Sequence, residues 1–307
     1  MIPLLLLLQT IFVSDEASSC VHAIDASTMK PLECIEVGVR PRGLVASPDG
    51  KRLYVAVSNA NRIAVIDTAT RKVVRTISSG PDPETFALSP DERHLYVANE
   101  DDNLLSIIPI ADGSTREVVV GGEPEGTAVS PDGRMVVQAS ETAGMAHVID
   151  TGSGDITANL MVDTRPRYVA FTPDGRRFWV SSEVRGTVSV FDSASLKLVG
   201  KIDFDRAKLT DNIIQPVGIR FTRDGRRAFV ALGRGKLVAE VDPNSLAILG
   251  TWPVGFRAWN LALSPDESRL YTADGLDGTV SVIDIKNNKV LPPVKVGGKP
   301  WGIEVVP

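Results

Sequence analysis

The sequence is poor in the side chains that build metal sites and disulfide scaffolds. Its 307 residues include two cysteines and three histidines. Two cysteines exclude a scaffold of several disulfides and a cysteine-rich metal cluster. Three histidines leave little room for a histidine-based metal site. The sequence therefore predicts no metal centre.

An excess of basic charge is also absent. The formal net charge is −5, with 33 basic and 38 acidic residues. A domain that binds nucleic acid normally carries a basic surface. We therefore expect no nucleic-acid partner.

Long hydrophobic runs are missing as well. The five leucines at positions 4–8 are too few to cross a membrane. They resemble the apolar core of a secretory signal, although neither a basic segment nor an A-x-A site accompanies them. We expect residues 1–10 to be a signal-like or extra N-terminal apolar segment and the protein to be periplasmic or secreted, without membrane insertion. The alternative is an unusual hydrophobic tail.

No window shows a sustained helical period, and a repeat dominates the chain instead. Ser/Thr-Pro-Asp recurs at steps of 41 or 42 residues, apart from one step of 50 in which arginine replaces the proline. The residues at the repeated position are Pro48, Pro90, Pro131, Pro173, Arg223 and Pro265.

Each copy contains four short runs rich in valine, isoleucine and aromatics, bounded by turn residues. In the first copy they are GLVAS, LYVAV, RIAVID and KVVRTI. Four strands per 40-odd residues are typical of a β-propeller blade. The sequence predicts an all-β, seven-bladed propeller over residues 11–307. Its last blade takes three strands from the N-terminus and one, WGIEVV, from the C-terminus, which leaves no open sheet edge.

Several segments carry a family resemblance. LYVAN at 95–99 and the VSVID runs resemble YVTN-type propeller repeats. QPVGIRFTRDGRRAFVALG, RAWNLALSPDESRLYTADG and the closing KPWGIEVVP resemble the PQQ-dependent catabolism-associated β-propeller family. This resemblance implies a periplasmic setting beside quinoprotein alcohol oxidation. The repeats lack the turn-plus-tryptophan pattern of the quinoprotein dehydrogenases themselves, which implies that this chain holds no PQQ and needs no cofactor.

The candidate binding site is the mouth of the central channel, where the blade-to-blade loops meet. In these loops the residues before and after a repeated proline position vary between acid, base and tryptophan. Charged, tryptophan-bearing patches are common recognition surfaces. The alternatives are solvated charge that neutralises around the ring and tryptophans that only plug the channel. The candidates are Arg40, Arg42, Glu84, Glu125, Arg165, Arg167, Arg257, Trp259, Lys299 and Trp301.

The two cysteines fall in adjacent strands of the closing blade. Cys20 lies in its third strand and Cys34 in its fourth, nearly opposite across a short turn. An oxidising compartment would allow a disulfide. The alternative is two small buried residues that face different ways.

No nucleophile–base pair and no catalytic residue is visible in the sequence. We therefore expect a monomeric, non-catalytic binding or accessory protein, with a periplasmic quinoprotein dehydrogenase or its electron carrier as partner. The alternatives are a small-ligand-binding propeller and a propeller enzyme of the lactonase or lyase type.

Overall fold

The computed structural model describes residues 9–307. The leucine run, and most of the predicted N-terminal segment, lie outside the described residues. Seven four-stranded antiparallel sheets surround one axis, which confirms the predicted seven-bladed β-propeller. We number the blades from the first complete one, so that blade one is β4–β7 and blade seven combines both chain ends.

Every blade uses consecutive strands in the order inner to outer, and blade seven begins with the last strand of the chain. Blade one consists of β4 (Pro41–Ala46), β5 (Arg52–Val57), β6 (Arg62–Asp67) and β7 (Lys72–Ser78). Blade two consists of β8 (Pro83–Leu88), β9 (His94–Asn99), β10 (Leu104–Pro109) and β11 (Arg116–Val119). Blade three consists of β12 (Pro124–Val129), β13 (Met135–Ser140), β14 (Met145–Asp150) and β15 (Ile156–Met161). Blade four consists of β16 (Pro166–Phe171), β17 (Arg177–Ser182), β18 (Thr187–Asp192) and β19 (Leu198–Asp203). Blade five consists of β20 (Ile219–Phe221), β21 (Ala228–Ala231), β22 (Leu237–Val241) and β23 (Ile248–Pro253). Blade six consists of β24 (Ala258–Leu263), β25 (Arg269–Asp274), β26 (Thr279–Asp284) and β27 (Lys289–Lys295). Blade seven is β28 (Pro300–Val306), β1 (Thr10–Asp15), β2 (Cys20–Asp25) and β3 (Lys30–Glu36).

The core lies between neighbouring sheets. The second strand of most blades carries a fully buried aromatic, which packs against the adjacent blade because a pleated, two-sided strand favours large flat side chains. The least exposed are Phe12, Tyr54, Trp179, Phe229 and Tyr271.

The ring closes through pairing of the two chain ends. β28 pairs antiparallel with β1, with Thr10 opposite Val306 and Val13 opposite Ile303. Cys20 in β2 and Cys34 in β3 of the same blade form a disulfide, with Cα atoms 5.5 Å apart, a separation usual for such a bond.

One blade-to-blade connection is longer than the rest and accounts for the 50-residue step. It lies between β19 and β20 and contains the single-turn helix α1 (Phe204–Ala207); the only other helical turn of the described residues is a 3₁₀ turn over Ser58–Ala60. Within residues 9–307, no helix has the length and apolar character needed to cross a membrane.

Candidate functional site

The channel mouth is built from the first residues of the innermost strands. In six blades this strand opens with a register shift, as between Pro41 and Leu44 in blade one. A β-bulge re-aims side chains and bends the strand. The residues that follow the repeated proline position form a layer that we call the belt: Arg42, Glu84, Glu125, Arg167, Val217, Trp259 and Trp301.

Glycines allow the blades to approach closely beneath the belt. A Cβ on Gly43 would lie 2.9 Å from the Glu84 carbonyl oxygen, and one on Gly126 would lie 2.7 Å from that of Arg167. Real Cβ atoms are not found this close to backbone. Glycine at these places therefore lets the belt residue of the next blade reach the axis.

The belt charges pair with each other, and their alternation along the sequence follows from this pairing. Arg42 of blade one contacts Glu84 of blade two and lies 3.5 Å from Glu125 of blade three. Arg167 of blade four lies 3.3 Å from the same Glu125 oxygen. The two acidic blades therefore lie between two basic ones, and all four side chains are buried. The alternative of solvated charges that neutralise each other therefore agrees with the pairing of these four side chains, but they are buried and not solvated.

A second set of glutamates completes the network, and the sequence reasoning missed it. These residues follow the second strand of four blades, in the segments VSDE, VANE, QASE and VSSE. Their shared repeat position was a signal that could have found them. They are Glu16, Glu100, Glu141 and Glu183.

Three of these glutamates, Glu16, Glu141 and Glu183, bind the same arginines from outside the belt. Arg42 Nη1 donates to Glu16 Oε2 at 2.8 Å. Arg167 bonds to Glu141 and lies 3.5 Å from Glu183 Oε2. Each buried guanidinium is thus surrounded by carboxyl groups from at least two blades, which compensates the cost of burying its charge.

Glu141 is the group best placed for proton transfer. Burial raises its pKa to about 7, helped by the charge of Glu125 and opposed by the charges of Arg167 and Arg165. Its Oε2 lies 2.8 Å from Arg165 Nε but accepts no hydrogen bond. A carboxyl group with a pKa near the working pH can both take up and return a proton.

Two other carboxyl groups at the mouth also hold protons more tightly than usual. Burial raises the pKa of Glu84 well above its ordinary value, although Arg42 opposes the shift. Burial and the charge of Glu125 raise the pKa of Glu100. Both carboxyl groups therefore keep a proton to higher pH than a free glutamate does.

The two tryptophans pack against arginines. Arg257 lies 3.9 Å from the centre of the Trp259 ring and Arg42 lies 4.5 Å from that of Trp301. The ring centres of the two tryptophans are 6.1 Å apart. Trp259 is partly exposed, but only 2% of Trp301 is. Trp301 thus occupies the position of a plug, whereas Trp259 keeps part of its surface exposed although Arg257 and Arg167 both lie over its ring.

Arg40 and Arg165 form the outer part of the mouth. Arg40 bonds to Asp82 at 2.6 Å and to Glu84 at 2.9 Å. The Arg165 side chain is 49% exposed and lies beside Glu141. Both residues adopt a left-handed backbone, with φ of +61°, at a cost of roughly 1–2 kcal/mol that glycine would avoid.

Lys299 does not join this network. It is exposed, and within residues 9–307 its ammonium takes part in no ion pair, although its backbone N–H donates to Asp15. The carboxyl oxygens of Asp82, Glu84 and Glu100 approach within 4.8 Å of each other, as in a cation site. Arg40 binds two of them, so a guanidinium already supplies the positive charge there.

The mouth therefore combines a proton acceptor with exposed and buried cations on a rigid scaffold. Such a set can activate water at Glu141 and stabilise negative charge on an oxygen at Arg165. A general base together with a cation that stabilises an oxyanion is sufficient for the hydrolysis of an ester by water, without a covalent nucleophile.

A family model matches most of the chain. The model described as "Lactonase, 7-bladed beta-propeller" matches residues 25–118 and 157–291, well over half of the chain. The chain belongs to the seven-bladed β-propeller lactonase family. None of the curated proteins compared with the chain matches it.

Solved structures share the fold at low sequence identity. The periplasmic gluconolactonase of Pseudomonas aeruginosa has a TM-score of 0.81 and 20% identity, covering 98% of this chain and 99% of that one. A candidate 6-phosphogluconolactonase of Bacteroides fragilis has a TM-score of 0.80 and 18% identity, covering 98% of both. Hydrazine synthase of Kuenenia stuttgartiensis has a TM-score of 0.76 and 20% identity, covering 85% and 88%. At such identities the likeness concerns the fold alone.

The expectation of a non-catalytic accessory protein for quinoprotein alcohol oxidation is wrong. The lactonase family match, with lactonases among the structural neighbours, indicates an enzyme and favours the alternative that the sequence left open. Glu141 could not be singled out from the sequence, because its raised pKa depends on burial and on the charge of Glu125. Both effects arise only in the folded protein.

Proposed function

We propose that this protein hydrolyses a lactone of a sugar acid at the channel mouth. Glu141 takes a proton from water as the water oxygen bonds to the lactone carbonyl carbon. Arg165 donates to the carbonyl oxygen, which becomes negative in the tetrahedral intermediate. The ring C–O bond then breaks, and Glu141 returns its proton to the departing ring oxygen. The product is an open-chain hydroxy acid, which releases one proton to solvent.

The observation that carries the proposal is the placement of Glu141. It has a pKa of about 7 and lies beside a half-exposed arginine at the channel mouth of a lactonase-family propeller. Backbone bonds fix its loop, since its N–H donates to the Glu123 carbonyl at 2.9 Å. A base held in this way needs little reorganisation to act.

The charge balance of the mouth favours a neutral substrate. Five arginines face seven carboxyl groups, and three of those carboxyl groups, Glu84, Glu100 and Glu141, have raised pKa values. Most guanidiniums of the mouth are already paired with carboxyl groups. A neutral lactone ring fits it better than a phosphorylated or carboxylated one.

We also propose that the reaction takes place in the periplasm. The leucine run, the Cys20–Cys34 disulfide and the periplasmic gluconolactonase among the structural neighbours support export. The resemblance of KPWGIEVVP to the PQQ-dependent catabolism-associated propellers, which implies a periplasmic setting, agrees with this proposal. Oxidation of a cyclic hemiacetal yields a lactone, so an oxidative step would supply this substrate.

The test measures acid release from D-glucono-1,5-lactone, D-galactono-1,4-lactone and a phosphorylated gluconolactone in weak buffer, after subtraction of spontaneous hydrolysis. We expect the neutral lactones to be opened faster than the phosphorylated one. Glu141→Gln keeps the shape of the side chain and removes the base, so kcat/KM should fall by roughly 10²–10⁴. Arg165→Gln should lower kcat by roughly 10²-fold or more.

Glu117→Gln is the matched control, because Glu117 is an exposed carboxyl on the outer strand of blade two. It should hydrolyse lactones at the unaltered rate. The proposal fails if no lactone is opened above background, or if Glu141→Gln is as active as this control.

A further inference from the structure

The channel beneath the belt contains three polar side chains that the fold does not explain. Its volume is about 390 Å³, and its walls come from the innermost strands. At the fourth position after the repeated proline, five blades carry alanine or valine, whereas blade five carries Arg220 and blade seven Glu304. Tyr168 of blade four is likewise the only aromatic at its repeat position.

The three side chains converge inside the channel. Arg220 Nη1 lies 2.5 Å from Tyr168 Oη and donates a hydrogen bond to it. Arg220 Nη2 lies 3.6 Å from Glu304 Oε2, too far for a hydrogen bond. The Arg220 and Glu304 side chains are 29% and 22% exposed. Both therefore keep hydrogen-bonding capacity that a ligand could use.

This pair lies at the neck between two cavities. Arg220, Phe221 and Glu304 line both the channel and a second cavity of about 340 Å³, which reaches Pro48, Pro265 and Pro307. Pro48 and Pro265 belong to Ser-Pro-Asp turns, and Pro307 occupies the corresponding repeat position, on the face opposite the mouth. The belt and this pair are separated by three residues of strand, about 10 Å. The channel is thus accessible from the face that does not carry the lactonase site.

We propose that the channel binds a neutral, polyhydroxylated ring of monosaccharide size at Arg220 and Glu304. A carboxylate that approached Arg220 would also meet Glu304, and an ammonium that approached Glu304 would meet Arg220. Two adjacent hydroxyl groups satisfy both, because one accepts from the guanidinium while the other donates to the carboxylate.

The remaining walls suit the apolar faces of such a ring. Phe86, Phe171 and Phe221 line the channel together with Leu44 and Ile219. A mostly apolar cavity with a few convergent polar groups is the usual form of a small-molecule site. Burying an ion pair does not by itself favour folding over apolar residues of similar size, so retention of the pair needs another reason.

The test uses the double substitution Arg220→Ala/Glu304→Ala, which restores the alanine that most other blades carry and should fold. Binding of D-glucose and myo-inositol is measured by saturation-transfer NMR, with gluconate and glucosamine as the anionic and cationic comparators. We expect the neutral ligands to bind at least tenfold more tightly than either charged one. The double variant should lose at least tenfold in affinity for the neutral ligands.

Two further measurements separate this site from the mouth. Glu141→Gln should bind the neutral ligands as the unaltered protein does, and the double variant should retain any lactone hydrolysis. The proposal is overturned if no neutral ligand binds, if the double variant binds equally well, or if charged and neutral ligands bind alike. Loss of hydrolysis together with binding in the double variant would also overturn it, because the channel would then belong to the catalytic site.

Discussion

Arg167 Nη2 lies 3.3 Å from Glu125 Oε1, and neither side chain exposes more than 6% of its surface. The same carboxylate oxygen lies 3.5 Å from Arg42 Nη2. Glu125 is therefore shared by guanidiniums from blades one and four. Electrostatic pairing across blades, in addition to apolar packing between sheets, holds the mouth together.

Replacing Arg167 by methionine should destabilise the protein strongly. The change leaves Glu125, Glu141 and Glu183 without their common cation in a buried site. Breaking a buried pair in this way costs about 3–5 kcal/mol. Urea unfolding measures the loss, with Arg176→Met as control, because Arg176 is 85% exposed and its removal should cost under about 0.5 kcal/mol. Equal midpoints for the two variants would contradict the prediction.

Stability should fall as the pH rises from 4.5 to about 7. The Glu141 carboxyl has a pKa of about 7 in the folded protein, above its ordinary value of 4.5. The folded state therefore holds more protons than the unfolded state between these values, and its stability decreases as pH rises through the window. Burial also raises the pKa of Asp274, to about 6, which acts in the same direction. Thermal melts across this range test the prediction, and Glu141→Gln should show a shallower decline.

Removal of the residues after Lys299 should open the ring. The truncated chain loses β28, whose backbone pairs with β1, and uncovers the buried side chains of Phe12 and Val13. We expect a much lower melting temperature and a tendency to aggregate, since an exposed strand edge recruits other chains. A truncated protein that melts with the full chain would show that closure contributes nothing.

Reduction of the Cys20–Cys34 bond should destabilise the closing blade. The bond closes a loop of about 15 residues, worth about 3 kcal/mol in the chain-entropy model. Thiol titration of unfolded, unreduced protein should detect no free thiol. Two reactive thiols per chain would mean that the disulfide does not form, and Cys34→Ser should then melt at the same temperature as the unaltered protein.

The architecture could be predicted from the sequence because every blade repeats the same pattern of strands and turns. Turn residues, strand length and a buried aromatic recur at fixed spacing, so seven weak signals reinforce each other. Even the pairing of the chain ends followed from aligning residues 11–25 with residues 178–192. The extra segment before β20 was visible as one long step, although its helical turn was not.

The site was only half visible in the sequence. The repeated proline position identified the belt charges as candidates, because the charge of the residue after it varies between copies while the sequence around it repeats. These residues are Arg42, Glu84, Glu125 and Arg167. It gave no information about protonation. Burial and the charge of the neighbouring Glu125 raise the pKa of Glu141, and both effects depend on the folded structure. Trp301 shows the converse, since a position suited to ligand contact is 2% exposed.

The pairing of β1 with β28 closes the ring of blades, and both chain ends lie in blade seven. Thr10 and Val306 stand opposite each other, so a short linker could join residues 9 and 307. New termini could then be opened in the outer loop of another blade without disturbing the mouth. The role of a belt residue would then depend on the position of its blade in the ring and not on where that blade falls in the sequence.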